Sequence, residues 1–247
     1  MIHVEEDSGV RTITIDRPEA RNALTSAGFG ALDRALHQAA AEDHVGAVII
    51  TGAGDEAFCA GQDLKELPEI DPLALSSHPF HAFIENLAVF PKPLIAAVRG
   101  VAVGAGVTML PYFDFVVAAS DARFQTPFVK LGVPTEGGSS LMLAATVGPR
   151  MAARMLLTGE WIPAEEALAA GLVTTVVEGD QVLPVARDLA RRLTSLPTAA
   201  VIATKRLLIE ARRDGVSAAM ARERVAGLEM YGDPSFRAAL ARFDGRR

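Results

Sequence analysis

Apolar and polar residues alternate along Val10-Arg11-Thr12-Ile13-Thr14-Ile15, the period of a strand with one buried face. Asp16-Arg17-Pro18 breaks that pattern. The spacing then becomes helical over residues 26–41, with Thr25 or Ser26 as the cap. Residues 45–51, 94–98 and 113–118 read as buried strands, and residues 77–89 as another helix. Strand, helix and strand in regular alternation predict parallel units with helices covering a sheet. The second half is mainly helical. Pro149 and Pro163 stand where first-turn prolines belong, and Pro163 is followed by the acids Glu165 and Glu166. Further helices are expected over 183–194, 198–213, 217–230 and 234–243. No repeat, low-complexity tract or Pro/Gly/Ser linker divides the chain.

Composition narrows the class. The 247 residues are 50% hydrophobic and 22% charged, which excludes a disordered chain. Aromatics are only 6%, while alanines number 43, so small and aliphatic side chains carry the apolar share. A mean hydropathy of +0.25 points to apolar surface buried in a pocket or between subunits. No run approaches the roughly 18 apolar residues of a membrane span. The acidic start carries no signal-like run. With Cys59 alone no internal disulfide forms, and a cytoplasmic setting is expected. The net charge of -6 argues against nucleic acid as a partner. That charge is uneven: residues 187–247 hold 13 basic and 7 acidic groups, a balance of +6, against -12 for the rest.

Two glycine clusters are candidate chemistry. Gly52-Ala53-Gly54-Asp55-Glu56-Ala57 fits G-x-G-x-x-A after an apolar strand. A dinucleotide site would need a helix next, and Gly61 comes too soon for a helix interior. Gly100 to Gly106 follows the strand ending at Val98. Small residues there permit close backbone approach and leave free N–H groups at a helix start, suited to a phosphate or an oxyanion; tight helix–sheet packing explains them equally. No G-x-S-x-G is present. His78 and His81 are three apart but lack an adjoining acid cluster, so no metal is expected. Cys59 has no nearby histidine to activate it and reads as a small buried side chain.

At these two turns the sequence resembles the crotonase (enoyl-CoA hydratase/isomerase) superfamily. The matches span nearly the whole chain: Ile15 to Leu24, Thr51 to Leu64, Pro91 to Gly100, and Gly159 through Val173. The resemblance implies an α/β crotonase-like spiral of ββα units over residues 1–190, with a helical C-terminal trimerisation region over 191–247. It implies a homotrimer or a hexamer built as a dimer of trimers, acyl-coenzyme A thioesters as substrates, and no separate cofactor. By motif position, the backbone N–H groups of Gln62 and Ala105 form the oxyanion hole. The coenzyme A path falls on Arg21, Ala23, Leu24, Ala60, Asp63, Leu64 and Lys65, with Phe243 capping the adenine. The basic C-terminal balance suits that anionic arm.

The family's hydratases hold the attacking water with two glutamates. Those positions are Thr108 and Phe128 in this sequence, and neither carries a carboxyl. Thr126 to Ser140 instead resembles the peroxisomal-type Δ3,Δ2-enoyl-CoA isomerases, whose single catalytic glutamate falls on Glu136. The implied reaction is a double-bond shift, with Phe128, Leu131 and Val133 lining the acyl pocket and beta-oxidation as the default setting. Two rivals stand beside it: other acyl-CoA chemistry of the same fold, such as hydration or thioester hydrolysis, and a noncatalytic acyl-CoA- or RNA-binding member.

Overall fold

In the computed structural model, described for residues 1–66, 77–231, 233–236, 238 and 239, the chain forms two sheets wound together. The larger has strand order β1-β2-β3-β5-β7-β10, from Ile2–Asp7, Val10–Ile15, Ala47–Gly52, Leu94–Val98, Phe115–Ala119 and Thr175–Val177. The smaller has order β4-β6-β8-β9, from Ala57–Cys59, Val101–Val103, Arg123–Gln125 and Ile162–Pro163. The chain visits the sheets in turn. From β3 to β8 each long strand in the first is followed by a three-residue strand in the second and then by a helix. β3, β5 and β7 pair in parallel, as do β4, β6 and β8. This is the expected spiral of ββα units.

The long central strands are buried along nearly their whole length, so they read as apolar runs rather than alternations. β2 departs from its expected single buried face. Arg11 and Thr12 are buried with the apolar residues, and the Arg11 guanidinium is held by Glu6 and Glu42. β1 was not expected at all. It is a charged edge strand, antiparallel to β2, whose acids suit an edge that must stay unpaired.

Helix α1 runs Ser26–Ala41 and is capped by Thr25, whose hydroxyl accepts from the Gly28 N–H at 3.0 Å. α2 is Pro79–Ala88, α3 the single turn Ala105–Thr108, and α5 Ala164–Ala170. α4 spans Ser139–Thr158 but breaks at Gly148, so Pro149 does open a helical segment. α6, α7 and α8 cover Val182–Thr194, Thr198–Glu210 and Arg213–Tyr231. Of the helix expected at 234–243, residues 234–236, 238 and 239 are described and are helical, and the rest lie outside the described residues. α7 is anchored by Lys205, buried, which donates to Asp114 at 2.7 Å and to the Lys92 carbonyl. No helix among the described residues is long and apolar enough to cross a membrane.

Candidate active site

The two glycine turns meet. Residues 21–24 lie alongside 60–63: the Ala60 N–H donates to the Arg21 carbonyl, Leu24 N–H to Gly61, and Asp63 N–H to Leu24, at 2.8–3.0 Å. Leu24 and Gln62 thus form a parallel bridge. Such a bridge uses the amide of Asp63 and the carbonyl of Gly61, so the Gln62 N–H faces away from it. Gly61 has φ +81, and a side chain there would lie 2.7 Å from the Val103 carbonyl oxygen and 3.2 Å from the Ala105 nitrogen. Glycine is therefore what lets the Gln62 segment reach the start of α3. Ala105 is the first residue of α3, after Gly104 at φ 55, and a first-turn N–H has no partner within its own helix. The amides of Gln62 and Ala105, neither with a hydrogen-bond partner among the described residues, are brought to neighbouring turns.

Beside them opens a cleft, partly open to solvent. Gln62, Leu64, Phe128, Leu131, Val133 and Glu136 of the expected residues line it. Phe128 to Leu131 form one 3-10 turn, stopped by Gly132 at φ 74, and the Val133 N–H returns to the Phe128 carbonyl at 3.1 Å. The turn and the residue after its cap thus place Phe128, Leu131 and Val133 together at the cleft. Arg21 and Lys65 are exposed outside the cleft, and Ala23 and Ala60 are half-buried near them. Asp63 is buried and bound to Arg17 at 2.7 Å. Burial pushes its carboxyl up, but Arg17 and the Lys65 N–H outweigh this and hold it below the usual range. Phe243 lies outside the described residues. Cys59 is buried, and burial pushes its thiol up to about 12.

Glu136 stands in the turn before α4. Burial, with the Glu223 carboxylate second, pushes its carboxyl up to about 8. The turn is fixed from several sides. The Ser139 hydroxyl donates to the Glu136 carbonyl at 2.7 Å, and the Tyr112 hydroxyl to the Gly137 carbonyl at 2.7 Å. Thr108 is fully buried close by, its hydroxyl without a hydrogen-bond partner among the described residues.

Sequence reasoning missed two walls. Helix α8 supplies Met220, Glu223, Arg224, Gly227, Leu228 and Tyr231. Their spacing is a single helical stripe, a signal the sequence did carry. Burial, with Glu136 second, raises the Tyr231 phenol above its ordinary range. α2 and its cap supply His78, Phe80, His81 and Ile84. His78 Nδ1 accepts from the Phe80 N–H at 3.2 Å, so Nε2 carries the proton and donates to Ser26 Oγ at 3.0 Å. Ser26 donates to Glu66, through its hydroxyl at 3.0 Å and its amide at 2.7 Å. Burial lowers the His78 pKa, favouring a neutral link in this chain, which ties α1 to the Gln62 segment.

The raised Glu136 carboxyl has a consequence for stability. Its folded pKa of about 8 lies above the ordinary glutamate value of 4.5, so its contribution is full below 4.5 and is lost as pH rises through 8. Glu136→Gln removes that penalty. Thermal melts across pH should show the variant gaining on the wild type from pH 4.5 upward and levelling above about 8; parallel melting curves at every pH would refute the assignment.

A spiral of ββα units with a carboxyl set in an apolar cleft beside the turns of Gln62 and Ala105 is the architecture of a crotonase-type enzyme. The chain belongs to the enoyl-CoA hydratase/isomerase family, whose model matches residues 5–243, and it is an acyl-CoA-metabolising member of it. It is 32% identical to the short-chain-enoyl-CoA hydratase of Clostridium acetobutylicum, over 99% of this chain and 94% of that one. It is 37% identical to the 1,2-epoxyphenylacetyl-CoA isomerase of Escherichia coli, over 79% of this chain and 76% of that one. Among solved structures it is similar to Pseudomonas aeruginosa OdaA, with a TM-score of 0.93 and 39% identity over 98% of both chains.

Proposed function

We propose that the protein is a Δ3,Δ2-enoyl-CoA isomerase of the peroxisomal type, with Glu136 as its proton carrier. The observation that carries this reading is the Glu136 carboxyl in a largely apolar cleft, its proton affinity raised into the working range. Ionised Glu136 takes a proton from C2 of a 3-enoyl-CoA. The C2–H electron pair moves into a dienolate, and the N–H groups of Gln62 and Ala105 hold the thioester oxygen as it gains charge. Protonated Glu136 then gives the proton to C4, leaving the double bond between C2 and C3. Nothing is oxidised or reduced, and one group serves both proton transfers. Phe128, Leu131 and Val133 exclude water from the dienolate. Arg21, Ala23, Leu24, Ala60, Asp63, Leu64 and Lys65 border the coenzyme A arm, Asp63 through its structural bond to Arg17.

Hydration is the second reading, supported by relatives named as hydratases. Against it stand Thr108, buried with no carboxyl, and Phe128, a hydrocarbon on the cleft wall. Product mass separates the two. A 3-enoyl-CoA should give a product of unchanged mass with a conjugated thioester, whereas a 2-enoyl-CoA should gain no water. Addition of one water as the main reaction would replace the isomerase reading with the hydratase one.

We also propose a homotrimer, assembled through α7 and α8. Leu207, Leu208 and Val225 are 67%, 64% and 59% exposed there, a costly display for an isolated chain. Sedimentation equilibrium should give three chains, or six if trimers pair; a stable monomer would refute it.

A further inference from the structure

Glu223 has no part in the proton transfers above, yet it is 8% exposed and lines the same cleft as Glu136. It comes from α8, some 87 residues further along the chain. Its Oε2 accepts from the Gly138 N–H at 2.6 Å and its Oε1 from the Ser140 N–H at 2.8 Å. Those amides belong to the start of α4, directly after Glu136. Gly137 and Gly138 both lie at positive φ, +72 and +74, so this turn is held in shape by its contacts rather than by a helix or strand. Glu223 makes no ion pair among the described residues. Its partners are the Gly138 and Ser140 amides at a helix N-terminus, with the Ser140 side chain and the exposed Arg222 charge beside them, and all of these favour the anion.

We infer that Glu223 is a positioning residue for Glu136: its carboxylate clasps the Gly138 and Ser140 amides, fixes the turn that aims Glu136, and sets a negative charge behind it. Both Glu223 oxygens are engaged with amides, so it acts through Glu136 rather than on substrate. The pair sorts its protons by environment. Glu223 is stabilised as an anion by two N–H donors, while the Glu136 carboxyl accepts no hydrogen bond among the described residues and keeps the proton. Burial raises the Glu223 carboxyl as well, against those donors, and burial with the Glu223 charge raises Glu136. Other groups face Glu136 too. His78 and His81 come from α2 and its cap, Arg224 and Tyr231 from α8, and Tyr112 from beyond α3. Arg224 is paired with Glu85 at 2.7 Å, and His78 with Ser26, so neither neutralises the Glu223 charge at close range.

This inference rests on Glu136 as the proton carrier, and its test reads protonation directly, not turnover. In the full-length protein, the infrared band of the protonated Glu136 carboxyl is identified by its loss in Glu136→Gln and followed against pH. The wild-type midpoint should lie near 8. Glu223→Gln keeps the shape, loses the charge and leaves one of the two amides without an acceptor, and should lower that midpoint by about one unit or more. Glu223→Asp withdraws the carboxylate by one methylene. It should lower the midpoint by about half a unit and reduce kcat while KM holds. An unchanged midpoint in Glu223→Gln overturns the inference. If that variant does not fold, an unchanged midpoint in Glu223→Asp does so, and a wild-type midpoint below about 6 does so without any variant. Full activity in Glu136→Gln would instead defeat the proton-carrier reading, whatever the midpoints show.

Discussion

Glu136→Gln is expected to lower turnover of a 3-enoyl-CoA by about a thousandfold, within the range that a single positioned acid–base group supplies. The amide has nearly the same volume and fills the same place in the turn. Binding should therefore change little, and the loss should fall on kcat with KM nearly constant. The loss is large because the reaction has no second route. One proton leaves C2 and one arrives at C4, and no carboxyl stands at the Thr108 or Phe128 positions to share either step. The wild-type pH profile belongs to the same prediction. Only the ionised form removes a proton, so kcat/KM should rise about tenfold per unit up to pH 8 and level beyond it. Stopped-flow absorbance of the conjugated product measures both. A folded Glu136→Gln variant with near-wild-type kcat would remove the proton carrier from the mechanism.

The long strands were legible because they are buried on both faces. Residues 47–52, 94–98 and 115–119 show as apolar runs, within about two residues of their expected limits. The strands of the second sheet were not. Ala57–Cys59, Val101–Val103 and Arg123–Gln125 are three residues each, too short for alternation to register, and they are defined by pairing with distant partners. The resemblance, rather than periodicity, supplied the spiral they complete. The site divides in the same way. Gln62, Ala105 and Glu136 sit in turns whose glycines are visible locally. Glu223 and Tyr231 sit on a helix that looked like a subunit-facing surface, and only the fold reveals that one stripe of it closes the cleft. His78 and His81 show in the sequence only as a pair at metal-ligand spacing, because the cleft they border does not exist in one dimension. Arg11 shows the opposite limit. Period two puts it on the same face as the buried Ile13 and Ile15, and nothing local shows the partners, Glu6 and Glu42 from two other elements, that make its burial tolerable.

Ala105→Pro tests the oxyanion hole without disturbing a side chain that matters. The donor at this position is a main-chain N–H, so only removal of that hydrogen should count. Proline removes it. Ala105 is the first residue of α3, the position where a helix accepts proline because the N–H has no helical partner to lose. The variant should fold and yet lose about a hundred- to a thousandfold in kcat/KM, the cost of one missing oxyanion donor. Ala105→Gly is the control. It keeps the N–H, costs at most about 1 kcal/mol of stability, and should retain turnover within a few-fold. The contrast separates hydrogen bonding from packing. If stability governs, glycine and proline should both be impaired in proportion to their melting temperatures. If the amide governs, proline alone collapses the rate while its melting temperature stays near that of glycine. Equal activity in the two folded variants would take Ala105 out of the oxyanion hole and leave Gln62 as its proposed backbone donor.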